Sequence, residues 1–120
     1  MSRDFLTQLN VIMVAAIAFA NDVEEGKLRD IIGTARKVAA CARKATAEAM
    51  SADAIEHIVD SMNEPIEKNA VKLWKHFIRH YKELKKAVIV LDMKPYSNHP
   101  VYAKYEELLE AMEDMNSFTR

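Results

Sequence analysis

This chain of 120 residues contains only two glycines and three prolines, and that scarcity constrains its fold more than any other feature. Sheets need many tight turns, which Gly and Pro favour, whereas long helices need few. Half of the residues are apolar, which is enough to form one core in a chain of this length. We therefore predict an all-α fold, a small helical bundle in a single domain over residues 1–120.

Apolar residues recur at every third or fourth position along most of the chain, which is the spacing of one helix face. Ser51 is a typical helix N-cap, and Pro65 is typical of a first helical turn. We expect about five helices, with these bounds: Asp4 to Ala20, Glu24 to Met50, Ser51 to Met62, Pro65 to Leu91 and Pro100 to Met115.

The first of these helices contains a run, Val11 to Ala20, that is apolar at every position. Because successive helical residues rotate by about 100°, such a run is apolar in all directions and predicts a central helix that is buried on every side. The other four helices are barely enough to surround it, so we expect a second subunit to cover part of it. The predicted interface of this homo-oligomer consists of Ile12, Val14, Ile17 and Phe19.

The same run bears on the location of the protein. It is shorter than the roughly 18 to 20 apolar residues that cross a bilayer, so we expect no membrane span. Ala18-Phe19-Ala20 resembles a signal-peptide cleavage site, but the preceding segment lacks the positive charge of a signal peptide. The single cysteine, Cys41, forms no internal disulfide, which is typical of a reducing compartment. We expect a cytoplasmic protein.

Charge is distributed unevenly, although the whole chain has a net charge of only −1. Residues 65–92 hold seven Lys or Arg against three Asp or Glu, and six of these cations follow one another at steps of four and three. The six lie on one helix face and form what we name the basic stripe: Lys68, Lys72, Lys75, Arg79, Lys82 and Lys86.

Three interpretations of the basic stripe remain open. It is a solvated face, it pairs with the acidic residues of the last helix, or it binds nucleic acid or another polyanion. Lysine dominates the stripe and only Arg79 offers a guanidinium group, so any nucleic-acid contact is expected to follow charge rather than base sequence.

Two further groups of residues are candidate sites. His76 and His80 are four residues apart and share a helix face, so they could ligate one metal ion, but the sequence does not place a third ligand. The segment after the fourth helix places Tyr96, Asn98 and His99 between two prolines, where they either contact a ligand or only form the turn between helices.

No catalytic or cofactor motif stands out, since a Gly-rich phosphate loop, Gly-x-Ser-x-Gly and Cys-x-x-Cys are all absent from the sequence. The surplus of apolar surface favours a non-enzymatic interaction or regulatory protein, a small accessory protein that binds a protein partner or itself. The alternative is binding of nucleic acid or another polyanion through the basic stripe. A metal-dependent enzyme that uses His76 and His80 is the second alternative. We expect no cofactor, and the sequence identifies no small-molecule substrate.

Overall fold

The computed structural model describes residues 3–62 and 67–119, with the side chains of residues 6–51 and 75–115. Four α-helices occupy these ranges: α1, Arg3–Glu25; α2, Arg29–Met62; α3, Glu67–Ile89; and α4, Val101–Thr119. A short 3-10 helix, Lys94–Tyr96, lies between α3 and α4. The described ranges contain no strand, so the predicted all-α class is confirmed.

The prediction of about five helices is wrong by one, because its second and third helices are a single helix. α2 continues through Ser51 without interruption and is 34 residues long. A serine alone has only a moderately lower helix propensity than alanine, and neither Gly nor Pro accompanies it there. An N-cap residue marks a helix start only when something has ended the preceding helix.

The end of α1 also differs from the prediction. The helix continues past Ala20 to Glu25, and its last turn is closed by a hydrogen bond of 3.1 Å from the N–H of Leu28 to the carbonyl of Val23. Lys27 adopts a left-handed conformation, with φ of 55°. This is the Schellman arrangement that commonly ends a helix, here with a lysine at the position that usually holds glycine.

Three pairs of helices make the main contacts among the described residues. α1 contacts both α2 and α4, and α3 packs against α2. The described structure measures 55 × 23 × 22 Å, and α2, about 51 Å long at 1.5 Å per residue, extends over nearly all of its length. α2 is therefore the element to which the rest of the bundle is attached.

The core combines small side chains from α2 with large ones from its neighbours. Phe19 of α1 and Phe77 and Tyr81 of α3 are almost completely buried. The buried side chains of α2 are mostly small, and five of them are alanines: Ala35, Ala39, Ala42, Ala45 and Ala49. Small residues along one helix allow aromatic residues of the next to fill the space without voids.

Within one copy of the chain, α1 is not buried on every side, and its cover by a second subunit stays a prediction. Ile12 and Phe19 are fully buried, but Val11 is 46% exposed and Val14 is 63% exposed. α2 and α4 each cover one flank of α1. The face of α1 that carries Val11 and Val14 is left exposed to solvent. By length and composition, α1 also has one stretch, Leu6–Glu25, that is apolar enough to cross a bilayer, with a mean hydropathy of 1.5. Core helices of water-soluble proteins and signal sequences share that composition.

Candidate functional site

The uncovered face of α1 forms one wall of a groove against α4, which we name the α1–α4 groove. Its volume is about 670 Å³. The floor is apolar and consists of small side chains: Val11, Val14, Ala15 and Ala18 of α1 and Ala111 of α4. Contiguous apolar surface that remains in contact with solvent is typical of a contact site for another molecule.

The α4 edge of the groove is acidic. Glu107, Glu110 and Asp114 line it, and Lys104 is the one cation among them, so the edge has a net charge of −2. Lys104 lies 4.0 Å from Glu107, an exposed ion pair that contributes little to stability. These positions recur at steps of three and four because only the flank of α4 that faces the groove contributes to it.

A side-chain hydrogen bond fixes the spacing of α1 and α4 at the groove. The amide of Gln8 donates to the backbone carbonyl of Ala111 over 2.9 Å. Further along the groove, the rings of Phe19 and Tyr105 lie 6.0 Å apart at the same helix pair. The groove is therefore held open between two helices that are attached at both ends, and it does not depend on a loop.

The basic stripe is on the surface wherever its side chains are described. Lys75, Arg79, Lys82 and Lys86 are exposed and line a shallow depression along α3. Arg79 lies 4.0 Å from Glu83 of the same helix. The side chains of the other two predicted members, Lys68 and Lys72, lie outside the described residues. The described part of the stripe extends over about 16 Å of helix.

The two histidines of α3 do not converge on a common point with other ligands. His80 is partly buried, with its Nε2 4.0 Å from Glu48 and its Nδ1 3.5 Å from Glu83. The two carboxylates thus approach opposite nitrogens of the ring and do not face a shared ion. Among the described residues, no group of three or more His, Cys, Asp or Glu side chains is placed to hold a metal, and His76 gains no further ligand.

The segment with Tyr96, Asn98 and His99 closes one end of the bundle. His99 accepts a hydrogen bond of 3.1 Å from the N–H of Val101 through its Nδ1 and thereby caps the start of α4. The Tyr96 ring meets the His99 ring edge-on at 6.4 Å, and burial together with the carboxylate of Asp30 raises the pKa of Tyr96. Asn98 is exposed. Two of the three residues thus have structural contacts that account for their presence.

The four residues predicted as an oligomer interface lie in different environments. Ile12 and Phe19 face the core of the chain itself, Ile17 is partly buried, and only Val14 is largely exposed. The other residues of the α1–α4 groove were not predicted as a site. The signal for them in the sequence is the recurrence of acidic residues at 107, 110 and 114, which form one flank of α4.

A second apolar surface lies where the end of α3 meets α4, and we name it the α3–α4 patch. Ile89 is 79% exposed and Leu109 38%. Lys85 and Glu113 border the same depression. This patch carries one cation and one anion, whereas the α1–α4 groove carries an excess of negative charge.

Comparison with known proteins yields no relative: no family model, curated protein sequence or solved structure matches this chain.

Proposed function

We propose that this chain is a non-enzymatic interaction protein, an accessory protein that binds a macromolecular partner through the α1–α4 groove. The observation that carries the proposal is the exposure of Val11 and Val14 on an apolar floor held between two attached helices. Leaving side chains of this size in water forgoes part of the burial free energy, roughly 1.5 kcal/mol or more for a fully buried valine. A partner that covers the groove would recover it.

The test compares what the chain captures from cells that produce it naturally. In the groove variant, Val11 and Val14 are both replaced by Asn, which removes apolar contact without adding charge. Met50→Asn is the matched control, because Met50 is an exposed apolar residue, 55% accessible, that lines neither surface. We expect quantitative mass spectrometry to show proteins that wild type and the control capture and the groove variant loses. If no captured protein depends on the groove, the proposal is wrong.

Self-association is the second part of the proposal, and the α3–α4 patch supports it better than α1 does. The patch has an exposed apolar residue, Ile89, between side chains of opposite charge, Lys85 and Glu113, and this combination is self-complementary about a two-fold axis. Light scattering coupled to size exclusion tests this. We expect a mass above 13.7 kDa for the wild type and a mass near that value for Ile89→Asp. A wild-type mass of 13.7 kDa at a protein concentration on the order of tens of micromolar contradicts self-association with a dissociation constant in that range.

Polyanion binding through the basic stripe is the alternative, and the exposure of Lys75, Arg79, Lys82 and Lys86 along one depression favours it. Exchange of Lys75 and Arg79 for Glu should abolish binding to a mixed-sequence DNA or RNA duplex, and added salt should weaken the binding of the wild type. Binding that resists both changes excludes the stripe as the contact surface. Among the described residues, no group of three or more His, Cys, Asp or Glu side chains is placed to hold a metal, so no observation favours a metal-dependent enzyme that uses His76 and His80.

A further inference from the structure

We infer that the α1–α4 groove binds one amphipathic helix of a partner protein, a helix whose apolar stripe is flanked by Lys or Arg. The inference rests on the proposed function and adds the chemistry of the partner. It follows from three properties of the groove, namely its length, the size of its floor residues and the charge of its edge.

The length of the groove fits a helix. Its α1 wall extends from Thr7 to Ala18, which at 1.5 Å per residue is about 16 Å, or three helical turns. Both walls are uninterrupted helices, so the groove presents a continuous surface along which apolar side chains at every third or fourth position of a third helix would fit.

The floor residues allow that helix to approach closely. Ala15 and Ala18 on one wall and Ala111 on the other present only methyl groups. Val11 and Val14 supply the larger apolar contacts near the middle. A floor of small side chains with two branched residues is suited to larger side chains on the incoming helix, such as Leu or Phe.

The negative charge of the α4 edge favours an incoming helix that has basic residues on either side of its apolar stripe. Glu107, Glu110 and Asp114 outnumber Lys104, and α4 as a whole has five acidic residues against one basic residue. A helix with Lys or Arg beside its apolar stripe would bury the aliphatic parts of those side chains and place their charges against the edge. A helix with acidic flanks would be repelled.

The same charges argue against a second copy of this chain as the occupant. Two grooves placed face to face would bring together two edges of net −2. The basic helix α3 of another copy would satisfy the charges, but its apolar side chains, among them Phe77 and Leu84, are already buried in its own core. The occupant is therefore a helix from a different protein.

The test titrates the purified full-length chain with three fluorescent synthetic helices of about 15 residues that share one Leu stripe and carry Lys, Gln or Glu on its flanks. We expect the Lys helix to bind most tightly and to lose affinity about tenfold or more in about 0.5 M sodium chloride. Glu110→Lys should lower its affinity by a similar factor. The control Glu106→Lys makes the same charge change at an exposed position of α4 that lines neither the groove nor the α3–α4 patch, and it should leave the affinity within about twofold.

Several outcomes would overturn the inference. If the Gln helix binds as tightly as the Lys helix and the exchange of Val11 and Val14 for Asn abolishes both, the groove is used but the charge argument is wrong, and the proposed function stands. Failure of all three helices to bind refutes the helix-binding inference, while the capture experiment still decides the proposed function.

Two results would assign the groove to another occupant. If self-association is lost in Glu110→Lys and in Lys82→Glu but restored when the two changes are combined, α3 of a second copy is the occupant. Groove-dependent sedimentation with phosphatidylcholine vesicles would assign the groove to a membrane.

Discussion

The hydroxyl of Tyr81 in α3 donates a hydrogen bond to the backbone carbonyl of Met112 in α4, across 3.3 Å of the buried interior. The residue is only 2% exposed, and burial raises the pKa of Tyr81 to about 12 from its ordinary value of 10. Lys85 lies over the same ring, 5.0 Å from its centre. A polar group thus links α3 to α4 from inside the core, and the stability of the fold depends on its remaining protonated.

The first prediction follows from that pKa. Below pH 10 the phenol is neutral in both the folded and the unfolded chain, and its raised pKa has no effect on stability. Between pH 10 and about 12 the unfolded chain releases the proton while the folded chain retains it, so the free energy of unfolding falls with rising pH, by up to about 2–3 kcal/mol. Urea titrations from pH 8 to 12 should show a shallower fall for Tyr81→Phe than for the wild type. Equal slopes would mean that Tyr81 titrates normally.

The second prediction contrasts two positions within a single turn of α1. Ile12→Asp should unfold the chain, because a buried carboxylate without a partner costs several kcal/mol against a total stability of about 5 to 15. Val14→Asp should remain folded and change stability by less than about 1 kcal/mol, because that side chain is 63% exposed. Circular dichroism during urea titration measures both. If Val14→Asp unfolds the chain as well, α1 is covered by another molecule that folding requires.

The third prediction concerns the strained end of α1. Lys27→Gly should raise the free energy of unfolding by about 0.5–1 kcal/mol, because glycine adopts the left-handed conformation of this residue without a steric penalty. Lys27→Ala is the control, since it removes the charge and keeps the strain. A gain in melting temperature from both changes would attribute the effect to charge and contradict the backbone explanation.

The fourth prediction applies the opposite change inside a helix. Gly33 lies in α2 on the exposed side, and apart from the adjacent backbone of α2 a methyl group added there would meet no atom within 4 Å. Gly33→Ala should therefore stabilise the chain by about 0.5–1 kcal/mol, since alanine loses less backbone freedom on forming a helix. Thermal unfolding followed by circular dichroism is sufficient. A loss of stability would indicate that another molecule packs closely against this position.

The fifth prediction concerns Cys41, the only thiol in the chain. The residue is buried, and burial, with a smaller contribution from nearby Glu83, raises the pKa of its thiol. Since the thiolate is the reactive form, a thiol reagent such as dithionitrobenzoate should react slowly at pH 8 with the folded chain and rapidly in denaturant. Rapid and complete labelling of the folded chain would contradict the burial of Cys41.

The fold class could be predicted because it depends on properties that every part of this sequence shares, namely few turn-forming residues and regular apolar spacing. In α4, apolar residues recur in the sequence at steps of four and three, and of this series Val101, Leu108, Met112 and Met115 are buried and Tyr105 is partly buried. The boundaries were harder, because they depend on competition. Ser51 can cap a helix or continue one, and only the packing of α2 against its neighbours decides between the two.

The candidate site was less predictable than the fold. A run that is apolar all round does not reveal which of its faces the rest of the chain covers, so Val14 and Ile12 look equivalent in the sequence. The groove also needs two helices that are far apart along the chain. Val11 and Glu110 line the same groove although α2 and α3 separate them in the sequence. Periodicity within one helix contains no information about that pairing.

The row of buried alanines on α2 determines where this protein can change over time. Truncation of a large core residue leaves a void. The side chain of alanine is a single methyl group, so most exchanges at the buried positions Ala42 and Ala45 would instead add volume to a filled core. Thr46 shows one permitted exception, because its hydroxyl donates to the Ala42 carbonyl of its own helix over 2.8 Å. Natural variants should therefore accumulate on outer faces away from the α1–α4 groove, while this row of α2 stays almost invariant in size.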